Sequence, residues 1–137
     1  MTHDQDCKCL SCEKGPEYAR EQEEKWMREM GWYAHLVENN YHTHGFDQTF
    51  NHPDIQIVVP LDPKLLHNLA NCVIDRIKAG NTIVPNERTP GIIKGLDVLF
   101  IETTEGDRPV LRMILPDPQG NVERDKIEPP WDTQYTE

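Results

Sequence analysis

The sequence predicts an α+β domain: a mixed or mainly antiparallel sheet of about five strands, one long helix packed on it, and an additional N-terminal helix. Three observations predict it. The stretch LDPKLLHNLANCVIDRIKAGN carries apolar residues at helical spacing. Short runs rich in β-branched and aromatic residues, punctuated by turn residues, lie on both sides of it. Apolar residues concentrate between Ile55 and Leu115 while both ends are polar, which implies a compact centre with peripheral termini.

The elements follow in order. Residues 1–15 form a cysteine-bearing segment without periodicity. GPEYAREQEEKWMREMG reads as a helix, with Pro16 in the first turn, Glu17 at the positive end of the dipole and Gly31 placed to end it. Its apolar stripe, Ala19, Trp26, Met27 and Met30, is thin, so one narrow face docks. WYAHLVE is a strand, Asn39 and Asn40 signal a turn, and YHTHGF closes a hairpin. DQTFNHP reads as a loop, and DIQIVVP as a strand with Ile55, Ile57 and Val59 on one face.

The long helix has Asp62 to cap it, Pro63 in its first turn, Leu66, Leu69, Ala70, Val73 and Ile77 inward, and Gly80 to terminate it. NTIVPNERTPGIIKG reads as a loop. LDVLFIETT and PVLRMILPD are strands joined by the turn EGDR, and PDPQGN is a further tight turn. VERDKIEPPWDTQYTE shows little pattern and reads as extended. A single domain over 16–131 with a short tail at 132–137 results.

The 137 residues include 24 acidic and 14 basic side chains, a formal charge of −10. That balance repels phosphate backbones and anionic membranes, which excludes a nucleic-acid partner and suits a protein partner, a basic one included. No apolar run approaches the ~20 residues of a membrane span, and MTHDQDCKCLSCEKG lacks a signal-peptide pattern, so a cytoplasmic location is expected. Cysteines in a reducing compartment point to thiols or metal rather than disulfides.

Two clusters carry metal-ligating chemistry. Cys7, Cys9 and Cys12 form C-x-C-x2-C, and three thiolates so close in sequence reach one tetrahedral zinc, with His3 near enough to complete the set. Such a zinc would order the segment. The competing reading is a tail with free thiols. Cys72, beside the apolar stripe of the long helix, reads as a small buried thiol.

The second cluster is YHTHGFDQTFNHPD. His42 and His44 are two apart on a strand and project to one face. With His52 they form an alternative metal set, which would make the protein a metal-dependent enzyme. The metallo-β-lactamase and cupin patterns are both absent. His52 reads either as a loop-stabilising imidazole or as a general base in a pocket with Thr43 and Asp54.

THGF…FNHPDIQIV, the long helix and VLRMILPDPQGN together resemble an uncharacterised bacterial domain-of-unknown-function family. That family has a Tyr-Thr-x-Gly-Leu strand, a His-Pro-Glu turn and a late Pro-Asp-x-x-Gly turn. Thr43, Gly45, His52, Pro53, Asp117 and Gly120 fall on its pattern. His42 stands where the family has Tyr, and Asp54 where it has Glu. The resemblance implies a shared fold and no known reaction. Three functions are therefore expected to compete. They are a protein-binding or regulatory module, with a phage or defence setting as one context, a metal-dependent enzyme, and a protein with a structural zinc at its cysteines.

Overall fold

The structure, a computed structural model, describes residues 16–136. The N-terminal helix is α1 (Pro16–Glu29). A hairpin follows, β1 (Tyr33–Val37) and β2 (Asn40–His44), turning at Glu38, whose φ is 56°. A short helix, α2 (Phe46–Phe50), leads to β3 (Asp54–Ile57). The long helix is α3 (Pro63–Lys78), followed by β4 (Arg88–Ile93), β5 (Leu96–Glu105) and β6 (Arg108–Ile114). A 3-10 helix over Trp131–Tyr135 closes the chain.

The strands form one mixed sheet in the order β1-β2-β3-β6-β5-β4. Neighbours are antiparallel except β3 and β6, which pair in parallel with Ile55 opposite Leu111. The expected architecture holds, with one strand more than expected. The additional strand, β4, lies inside the stretch read as a loop. Its Pro90 and Gly91 mask a strand pattern, and an edge strand with a register shift tolerates both. The segment 46–50, also read as loop, is α2, entered through Gly45 in the left-handed region. The C-terminal stretch read as extended contains the 3-10 turn.

The two sheet faces differ in chemistry. Helix α3 covers one, burying Leu66, Leu69, Ala70, Val73 and Ile74 against Ile55, Ile57, Phe100, Leu111 and Met113. Each such fully buried apolar side chain stabilises the fold by about 1.5–3 kcal/mol. Asp62 caps α3 by accepting from the Lys64 N–H at 2.8 Å. Cys72 is half-buried against this core as a free thiol.

On the other face an apolar cluster forms over β5 and β6. There Leu99 and Ile114 meet Val122 and Ile127, with Trp131 and Tyr135 packed alongside. The covering segment is anchored by polar contacts. Asp117 accepts from the backbone N–H groups of Gln119, Asn121 and Glu128. The buried Gln134 side chain accepts from Leu115 N at 2.7 Å and donates to Leu115 O at 2.9 Å, like an extra rung of sheet.

Among the described residues no helix is long and apolar enough to cross a membrane. Cys7, Cys9, Cys12 and His3 lie outside the described residues.

Candidate metal centre

The polar part of the second face is set by register. His35 lies opposite His42, His42 opposite Gln56, and Gln56 opposite Arg112. Directly opposed residues project to the same face, so these four form a row across the sheet. His44, two residues beyond His42, joins it. The result brings three imidazoles together. One ring nitrogen from each of His35, His42 and His44 lies within 4.8 Å of the other two. The rings pack edge-on or tilted, with centroids 4.8–5.5 Å apart.

Two of the rings are each held through one nitrogen. His35 Nε2 donates to Glu23 Oε2 on α1 at 3.0 Å, which leaves Nδ1 as its lone-pair nitrogen. His42 Nδ1 donates to Asn40 Oδ1 at 3.2 Å and lies 3.1 Å from Glu105 Oε2, which leaves Nε2. Asn40 Oδ1 also accepts from Gln56 Nε2, so the row fixes the tautomer of His42. Tyr33 stacks on His44, with ring centroids 5.1 Å apart.

Four buried side-chain nitrogen or oxygen atoms lack a hydrogen-bond partner among the described residues. Two of them, His44 Nε2 and Arg108 Nε, belong to this side of the sheet, while a third, Glu105 Oε2, faces His42 Nδ1 at 3.1 Å. An unpartnered buried polar atom costs about 1–3 kcal/mol, and a group bound at His44 Nε2 would relieve that cost.

Burial and nearby charge favour the neutral forms of His42 and His44. Burial first, then the Arg108 guanidinium and the other two histidines, push the pKa of His44 down to about 4. Burial also lowers His42, helped by His35 and Arg108 and opposed by Glu105. Neutral imidazoles offer lone pairs to a metal without a proton to displace.

A tetrahedral zinc with bonds of ~2.0–2.1 Å holds its nitrogens about 3.4 Å apart, so small side-chain rotations from the present spacing suffice. Carboxylate and amide partners on the outer nitrogens are what metal-bound histidines require. The donor set fits a divalent transition metal.

The other sequence candidates are placed as follows. Thr43 and Asp54 meet: Thr43 Oγ1 donates to Asp54 Oδ1 at 2.8 Å and accepts from Ile55 N at 3.0 Å. Asp54 also accepts from Phe46 N at 3.1 Å and from Arg108 Nη1 at 2.8 Å. Arg108 Nη2 reaches Thr43 O and Glu105 Oε1. This is a tie between β2, β3 and β6. His52 hydrogen-bonds the Pro53 carbonyl through Nδ1 at 2.8 Å and has its ring edge toward Phe46. Those contacts are the loop-stabilising ones, and it is His35 that completes the group around His42 and His44.

His35 was legible in principle. With a two-residue turn at 38 and 39, Val37 pairs with Asn40 and hence His35 with His42. Spacing along the chain favoured His52, and only strand pairing reveals the third imidazole.

A family model for a domain of unknown function, DUF4262, matches residues 26–136. The chain belongs to the DUF4262 family. No curated protein and no solved structure matches it. The DUF4262 match takes in the whole sheet, α3 and all three histidines. Glu23, the carboxylate behind His35, precedes it.

Proposed function

We propose that the protein is a metal-dependent enzyme whose centre is a divalent ion, zinc first, on His35, His42 and His44. The observation that carries this reading is the convergence of three imidazoles on one sheet face, two of them hydrogen-bonded through one ring nitrogen each. Three protein ligands leave a fourth position for water, which is the arrangement of catalytic rather than structural zinc. An ion there lowers the pKa of its water toward neutrality, the basis of metal-assisted hydrolysis. Glu105, whose Oε2 lies 3.1 Å from His42 Nδ1, is the carboxylate beside the centre.

A groove of about 660 Å³ opens along the edge strand β1 between α1 and α3, and of the three histidines His35 alone is in its lining. His35 and Tyr33 stand in its wall beside Trp26, Trp32 and Tyr41. Its volume lies in the range of small-molecule sites, which run ~300–1,000 Å³. The substrate of this reading is a small molecule with an apolar or aromatic part.

Cobalt(II) substitution tests the proposal. The expected outcome is one tightly bound cobalt with visible bands of four-coordinate geometry that shift when azide is added. Octahedral, weakly absorbing cobalt, or a spectrum indifferent to azide, would count against an open three-histidine centre.

A further inference from the structure

The centre is joined to α1 through one of its ligands. Helix α1 has 14 residues, a length at which an isolated helix is marginal in water. Among its described side chains Ala19 is the one that is buried. It therefore depends on docking. Glu23 provides a side-chain contact to the sheet, the 3.0 Å bond to His35 Nε2. Further along, Met27 packs at Gly45, and Trp26 and Met30 line the groove opposite α3 residues Pro63 and His67. The position of α1 thus decides whether the groove has its outer wall.

We propose that metal binding at the three-histidine centre governs the docking of α1, and through it the formation of the groove. The proposal rests on the reading of the centre given above. A metal on Nδ1 of His35 compels Nε2 to carry the proton and polarises that N–H toward the Glu23 carboxylate. The bond to α1 is stronger with metal bound than without it.

The coupling has a magnitude. An outer carboxylate behind a ligating histidine contributes about 10- to 100-fold to metal affinity. Binding linkage is reciprocal, so metal favours the docked over the undocked helix by the same factor. Weakly docked helices are the low-stability end of a structure, where such a factor becomes visible.

Hydrogen exchange of the full chain at mildly alkaline pH, with and without zinc, tests this in the wild type and in Glu23→Gln. Zinc stoichiometry is measured on the same samples. In the wild type, zinc slows exchange across residues 17–30 by about 10-fold or more. In Glu23→Gln, zinc affinity drops by that same factor, and the remaining bound zinc protects β1 and β2 while α1 exchanges at its metal-free rate. Stoichiometric zinc with unchanged α1 exchange in the wild type would overturn the coupling and leave the metal centre standing. Equal protection of α1 in Glu23→Gln would also overturn it. Absence of zinc binding would overturn the metal centre itself, and the coupling with it.

Discussion

Replacing Asp54 by alanine separates a structural tie from a catalytic group. The carboxylate accepts three hydrogen bonds, from Thr43 Oγ1, Phe46 N and Arg108 Nη1. Breaking a buried ion pair from one side costs about 3–5 kcal/mol. The lower end applies, because the Arg108 side chain is 29% exposed and keeps Thr43 O and Glu105 Oε1 as acceptors. With a urea m-value of about 1.5 kcal/mol/M, a loss of about 3 kcal/mol moves the unfolding midpoint down by about 2 M. Thr43→Val removes one donor to Asp54 and the acceptor of Ile55 N, and loses about 2 kcal/mol. The two residues share the bond, so the double variant loses less than the sum. Chemical denaturation of the four proteins gives the numbers. A midpoint for Asp54→Ala within about 0.3 M of the wild type would refute the tie, as would strict additivity.

Further outcomes follow from other sites. Gly45 holds a φ of 101°, and a Cβ there would stand 2.7 Å from both Gly31 O and Met27 Sδ, so Gly45→Ala loses about 2–3 kcal/mol, read as a fall of about 10 °C in Tm. Gln134→Ala orphans both backbone groups of Leu115 and loses about 2 kcal/mol in urea unfolding, which also shows that the C-terminal turn belongs to the fold. The metal-free protein has a pH dependence set by His44. Its folded pKa of about 4 lies below the 6.5 of the unfolded chain, so the native state binds fewer protons between those values. Stability is fully present above pH 6.5 and is lost as the pH falls toward 4, by about 1–2 kcal/mol after discounting for a half-buried ring. His44→Asn flattens that slope.

The sequence pattern revealed elements whose stabilising contacts are local. The long helix, its Asp62 cap and the β5–β6 hairpin were legible because spacing, capping and turn residues lie within a few positions of each other. The parallel pairing of β3 with β6 was not, since Ile55 and Leu111 are far apart in the chain and nothing local records their contact. Strand β4 hid behind Pro90 and Gly91, which local rules read as loop and an edge position permits. At the site, His42 and His44 were legible from their two-residue spacing. His35 required the hairpin register, and Glu23 required the docking of α1. Thr43 and Asp54 do touch, and the side chain that joins them is Arg108 rather than His52. His52 hydrogen-bonds the carbonyl of its neighbour Pro53 instead.

The most direct test of the central claim is the zinc content of purified, zinc-equilibrated protein, compared between Cys7/Cys9/Cys12→Ser and His42→Ala/His44→Ala variants. The account predicts one zinc per chain that survives replacement of the cysteines and disappears with the histidines. Zinc lost with the cysteines and retained without His42 and His44, or no zinc in any sample, would contradict it.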